Sequence, residues 1–299
     1  MTQTEFAATA PAARNRLALM ALLAGAVAIG GSPIFVRLSE IGPMATAFWR
    51  VALALVPLFL FFRLSEKRRA ARPAGLRDMI ALALPGVFLA ADLVAWHAAI
   101  HVTTVANATL LANLAPVFVT AVGWLFLGAS ISRAFLIGLA VAISGIVILK
   151  GGLSGLSAGN PSGDALAVLA ALFYAGYMLG VARLRGRFDT ARVMLWSTAS
   201  AAVCLLPMVL LTESQFAPVT IFGWAMLLGL ALISHAGGQV AITYALAFLP
   251  TAFSSLTLLL QPVVAALLGV VVLGEAVGVT QAIGGAIVLC GILYARRSG

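Results

Sequence analysis

The sequence predicts an all-α integral membrane protein with ten transmembrane helices, arranged as two inverted five-helix repeats. Three observations lead there. Of 299 residues, 63% are hydrophobic and 9% are charged, against roughly 25% charged in a soluble domain. A soluble fold of this size has too few ionised side chains to cover its surface. The apolar residues gather into ten runs, each near the ~20 residues needed to cross hydrocarbon. Finally, residues 104–127 recur as residues 250–273. At a constant offset of 146, Pro116 meets Pro262, Gly123 meets Gly269, Gly128 meets Gly274, Gly138 meets Gly284 and Gly145 meets Gly291. Matches of Leu or Val carry little weight in so apolar a chain. Registered proline and glycine carry more, because each disturbs a helix in its own way. The chain therefore reads as an internal duplication.

The ten runs are 17–36, 43–63, 78–100, 105–127, 131–149, 164–183, 191–212, 221–247, 251–273 and 277–295. A tail, 1–16, precedes them. Residues 17–150 form the first repeat and 164–299 the second. Between them, 151–163 is rich in Gly and Ser (GGLSGLSAGNPSG) and reads as a flexible linker. Arg14 and Arg16 before the first run resemble the start of a signal peptide. The run is about 20 residues long with no cleavage site after a short apolar core, so it is expected to be a retained span.

Basic residues set the orientation. With a cytoplasmic N-terminus, the cytoplasmic segments hold Arg14, Arg16, the 63–77 cluster, Arg133, the four arginines of 183–192, Arg296 and Arg297. The opposite side holds Arg37 and Lys150, and Arg50 lies within a span. Both termini are thus expected in the cytoplasm, and the protein in a bacterial inner membrane. An odd number of spans per half inserts the second half upside down, which places a solute site near the midplane.

The net charge of +9 does not point to nucleic acid, because the basic residues sit in short loops. The run at 67–72 (KRRAAR) reads as a loop obeying the same charge bias. Cys204 and Cys290 both lie in apolar runs, without the spacing of a metal site or a disulfide framework. No catalytic constellation or phosphate-cradling loop is present. No enzyme, cofactor or metal is expected, and a monomer is.

The stretch GSPIFVRLSE at 31–40, the FWR at 48–50, Pro116 with Leu127-Gly128, and Pro262 with Leu273-Gly274-Glu275 resemble the drug/metabolite transporter superfamily, EamA type. The resemblance runs from Leu17 to Arg297. It implies the ten-span fold and solute transport, with the bacterial aromatic amino-acid exporters as the members to compare first. Ala129 stands where the second half has Glu275, so a role for that carboxylate does not extend to the first half.

Polar groups at bilayer depth are costly and face protein or a water-filled cavity. Asp92 and Trp96 are one turn apart on span three, with His97 rotated by about 100°. Asp92 is expected to point inward, to Arg50 or to a solute. Span six carries Tyr174 and Tyr177, whose hydroxyls need partners. Span eight carries His235 and Gln239, four apart. Asn113 and Gln261 each precede a helix proline. These nine residues (Asp92, Trp96, His97, Asn113, Tyr174, Tyr177, His235, Gln239 and Gln261) are the candidate substrate-binding set. Pro33, Pro116 and Pro262 are the candidate hinges.

The function that fits best is secondary export of amino acids, aromatic or neutral, or similar small metabolites by alternating access. A multidrug or cation exporter of the same fold would want more buried carboxylates. A carrier of phosphorylated sugars would want paired cations in its spans. A membrane scaffold that transports nothing would need neither duplicated prolines nor midplane polar groups.

Overall fold

The computed structural model describes residues 3–65, 72–103, 105–149, 151–152, 160–274 and 278–296. Lys67, Arg68, Arg69, Lys150, residues 153–159 of the linker, Glu275 and Arg297 lie outside them. Among the described residues every regular element is helical. Nine helical segments are long and apolar enough to cross a membrane. The tenth, Arg133–Leu149, has 17 residues, the lower end of the spanning range.

Span one is α1 (Gln3–Gly30) followed by the short α2 (Ser32–Arg37); spans two and three are α3 (Pro43–Ser65) and α4 (Leu76–Val102). Span four breaks into α5 (Val105–Ala112) and α6 (Ala115–Leu127), and span five is α7 (Arg133–Leu149). Spans six and seven are α8 (Pro161–Arg185) and α9 (Thr190–Thr212). Span eight is α10 (Ile221–Gly229), a π-helical stretch (Leu230–Gln239) and α11 (Val240–Ala245). Span nine breaks into α12 (Thr251–Thr257) and α13 (Leu260–Leu273), and span ten is α14 (Val279–Arg296).

Two boundaries move from their expected places. α1 starts at Gln3, inside the expected tail, because that stretch is alanine-rich and alanine is the strongest helix former. α8 starts at Pro161, three residues early. The Asn160 side chain accepts from the Ser162 amide at 3.0 Å, and proline at the first helical position needs no amide partner.

The duplication is visible in the backbone. Span four breaks at Asn113-Leu114 and span nine at Leu258-Leu259, just ahead of Pro116 and Pro262. Both helices then end on a left-handed glycine, Gly128 at φ 65° and Gly274 at φ 67°, a conformation that glycine adopts without a Cβ penalty. The packing obeys the same relation. α4 packs on α8 as span eight packs on α1; α4 packs on α9 as span eight packs on α3; spans four and nine lie against α8 and α1 respectively. Each contact is the other with the halves exchanged, as a two-fold axis in the membrane plane requires.

Spans five and ten make the closest of these pairings. A Cβ on Gly138 would stand 2.7 Å from the Gly291 carbonyl oxygen, and one on Gly145 2.9 Å from that of Gly284. Glycine on both sides lets the backbones touch, the small-residue packing that replaces hydrophobic association in lipid. Replacing Gly145 or Gly284 by Leu is expected to cost about 1–3 kcal/mol through overpacking, read as a lower unfolding temperature in detergent. The same change at Gly128, which has open space around it, should act through backbone strain alone.

The loops are tied across the halves. Glu40, between spans one and two, accepts from the amides of Val219 and Thr220 at 3.2 and 3.1 Å and from the Thr220 hydroxyl, at the start of span eight. Glu213 accepts from the Met44 amide at 3.0 Å, at the start of span two. At the other end of the molecule Arg187 pairs with both oxygens of Asp78 at 3.0 and 3.2 Å. The Thr220 hydroxyl, then its amide, hold the Glu40 carboxyl below its usual value. A depressed carboxylate stabilises at neutral pH, and that contribution is lost as pH falls through the folded value. Glu40→Gln should therefore flatten the acid limb of the stability–pH curve below about pH 4.5 and leave thermal unfolding at neutral pH modestly lowered.

Candidate functional site

Two joined cavities run down the middle of the molecule. The inner one, about 220 Å³, is enclosed by spans one, two, three, four, six, eight and nine. The outer one, about 980 Å³, widens toward Arg37, Gly151, Gly278 and Thr280, which all lie at the end opposite the chain termini. They share a collar of Ile29, Arg50, Leu93, Trp96, Thr109, Asn113 and Gln261. Toward the termini the path is closed by the main apolar core, where Leu22, Met178, Val181, Leu184 and Leu246 pack together.

The helix breaks bring side chains to this cavity. At the span-four break, Asn113 turns its side-chain amide back to the Thr109 carbonyl at 2.7 Å. Its side-chain oxygen has no protein partner among the described residues. Gln261, at the equivalent break, lines both cavities, and its Nε2 is buried with no hydrogen bond. Pro116 lines the inner cavity and Pro262 the outer one. Pro33 and Ser32 line the outer cavity beside the break in span one.

Asp92 lies on the wall of the inner cavity, one turn from Trp96, which borders both. Tyr174, Met178 and Gln239 complete the inner wall. The Gln239 side-chain oxygen is buried without a partner. Of the nine expected residues, the structure thus brings Asp92, Trp96, Asn113, Tyr174, Gln239 and Gln261 together.

The other three stand behind the wall. His97 is buried, its Nδ1 2.6 Å from the Leu93 carbonyl, and its ring meets Trp96 edge-on at 5.0 Å. It braces the tryptophan. Tyr177 is buried in the core beside Tyr174, with ring centroids 5.9 Å apart. His235 is buried and pairs its Nε2 with the Thr198 hydroxyl at 3.0 Å, joining spans eight and seven. The shared face expected for His235 and Gln239 assumes an α-helix. In the π-helical stretch hydrogen bonds close five residues apart instead of four, and the two side chains meet different neighbours. His235 turns to span seven, Gln239 to the cavity, and Ser234 donates to the Ala28 carbonyl at 2.8 Å.

Arg50, which is not among the nine, also lines this space. Its Nε is buried without a hydrogen bond, and it borders both cavities. Its signal in the sequence is a lone arginine inside an apolar run, one of the two neighbours expected for Asp92, the other being a solute. Arg50 and Asp92 make no direct ion pair. Asp92 has no hydrogen-bond or ion-pair partner among the described residues. Thr109 and Ser255 also line the inner cavity.

With Cys204 and Cys290 replaced, a cysteine at Ala266 in the outer cavity should react with a membrane-impermeant thiol reagent applied to the face opposite the termini. A cysteine at Leu184, in the closed core, should react at least about tenfold more slowly, since buried thiols need an opening motion first. Equal labelling, followed by mass spectrometry, would mean that the path is open at both ends.

Two stretches, residues 16–150 and 161–297, match the EamA-like transporter family. An uncharacterised transporter of Archaeoglobus fulgidus is 28% identical over 93% of this chain and 95% of its own. A probable terminal-alkyne amino-acid exporter of Streptantibioticus cattleyicolor is 30% identical over 76% of this chain and 78% of its own. The pseudopaline exporter CntI of Pseudomonas aeruginosa is 29% identical over 66% of each chain. A crystal structure superimposes with a TM-score of 0.79 at 18% identity, covering 97% of this chain and 99% of that one, which establishes a shared fold.

Proposed function

The chain belongs to the EamA-like transporter family, and from that premise we propose that it exports amino acids or similarly small zwitterionic metabolites by alternating access. The observation that carries this is the cavity wall. It offers one carboxylate, one guanidinium and several neutral amides and hydroxyls around a space of about 220 Å³ beside aromatic rings. A zwitterion is neutral overall but needs a partner for each charge. A wall with one partner of each sign suits it better than it suits a lipophilic cation or a phosphate ester.

The geometry accounts for movement as well as binding. The breaks in spans four and nine come from the same proline in each half, so each half has a joint at the depth of the site. With solute bound in the inner cavity, straightening one joint and bending the other would close the outer collar and part the apolar core toward the termini. The bias of basic residues supports cytoplasmic termini, and in that orientation the described state faces outward, as an exporter does when it releases its load. Two relatives, the probable terminal-alkyne amino-acid exporter and the pseudopaline exporter, support the same substrate range.

The test is counterflow in liposomes. Vesicles containing the full chain and loaded with unlabelled L-phenylalanine, L-leucine or L-serine should accumulate the matching labelled amino acid. Trp96→Ala or Gln261→Ala should lower the rate by about tenfold, the loss of one buried hydrogen bond or aromatic contact. Folded protein that exchanges none of the three overturns the reading. Exchange of an aromatic amine instead would favour the cation exporter.

A further inference from the structure

The amino-acid reading leaves open which part of the solute the protein recognises. Arg50 and Asp92 face the same inner cavity from neighbouring helices, α3 and α4, yet make no ion pair with each other. The ion pair between Arg187 and Asp78 shows what a structural pair looks like in this molecule: two contacts at 3.0 and 3.2 Å, at a helix end. Two opposite charges brought into a low-dielectric interior and left apart are costly. The cost falls when a group of opposite charge meets each of them.

Their depths differ in a useful way. At 1.5 Å per residue, Arg50 lies about 10 Å from the outer end of α3 and Asp92 about 15 Å from the outer end of α4. Asp92 borders the inner cavity alone, whereas Arg50 borders both. The negative group is therefore at the closed end and the positive group at the collar. Beside Arg50 at the collar stand Asn113 and Gln261, the latter with an unpartnered buried Nε2. A guanidinium and an amide N–H there make a set of donors suited to a carboxylate, which arginine holds with two parallel hydrogen bonds.

We propose that Arg50 receives the α-carboxylate of the solute and Asp92 its ammonium group, so that the protein recognises the head of an amino acid and leaves the side chain to the outer cavity. This rests on the amino-acid reading above. In this outward-facing state the solute sits head down, ammonium deepest. Its side chain then projects past the collar toward Ile34, Pro262 and Ala266, in a space of about 980 Å³. That wall is apolar and roomy, so it discriminates weakly among side chains, as apolar pockets do. The specificity lies in the two charges. The substrate class is α-amino acids with both groups free, over a broad range of side chains.

The test takes whichever of L-phenylalanine, L-leucine and L-serine exchanges fastest in the liposome assay. Three analogues compete with it: the decarboxylated amine, the deaminated acid and the methyl ester. On the unmodified protein each analogue should compete about 10- to 100-fold more weakly than the parent, the loss of one charge-assisted hydrogen-bonded partner. Arg50→Gln should weaken the parent by a similar factor and leave the amine unchanged. Asp92→Asn should weaken the parent and leave the acid unchanged. Arg50→Lys, which keeps the charge and loses the fork, should fall between. If the analogues compete as well as the parent, the division of charges is wrong while amino-acid transport stands. If no amino acid exchanges, both fall. The analogue series on the unmodified protein decides the matter even where a variant does not fold.

Discussion

A polar group inside hydrocarbon must find a partner within the protein, because no water reaches it there. Most of this molecule follows from that. The backbone satisfies itself as helix. Thr120, Ser197 and Thr257 return their hydroxyls to their own helix at 2.6, 2.8 and 2.9 Å. Ser234 and His235 reach a neighbouring helix. Of the buried side-chain atoms left without a partner among the described residues, those of Arg50, Gln239 and Gln261 face the inner cavity and that of Ser32 the outer one, while Tyr177, His235 and Ser254 carry theirs behind the wall.

The second organising feature is the two-fold relation between halves that have drifted apart in chemistry. The breaks in spans four and nine stay within one residue of each other in the repeat, and the glycines that end the two spans keep their position. The polar cargo does not. Asn113 has Leu259 at its repeat position, and Gln261 has Ala115. The π-helical stretch of span eight has no counterpart in α4 among the described residues. Symmetry has been retained where it sets the joints and given up where it sets the chemistry of the cavity.

The fold was legible in the sequence because its causes are local. Span length, odd span count per half and registered Pro and Gly each act through the backbone of their own segment. The site was legible only in part. Asp92, Trp96, Asn113 and Gln261 are polar or amphipathic groups in apolar runs, and depth alone points them inward. Tyr177 and His97 satisfy the same rule yet stand one layer back, because a helical wheel assigns a face without saying whether a cavity or a neighbour lies against it. His235 stands back for the same reason: its partner is the Thr198 hydroxyl of span seven, and nothing in LISHAGGQ says which neighbour lies against it. Arg50 stands out in the sequence as a lone charge in a span, but the sequence alone does not say whether Asp92 or a cavity lies against it.

The crossing of spans five and ten has a consequence for how such a chain arises. Gly138 lies against Gly291 and Gly145 against Gly284, so the same helix surface is used on both sides, turned end for end. Two separate copies of one five-helix polypeptide, inserted in opposite senses, would meet through that very surface. The fused protein carries an antiparallel dimer contact within a single chain. Cut between its halves, it would yield two fragments that already hold the means to reassemble.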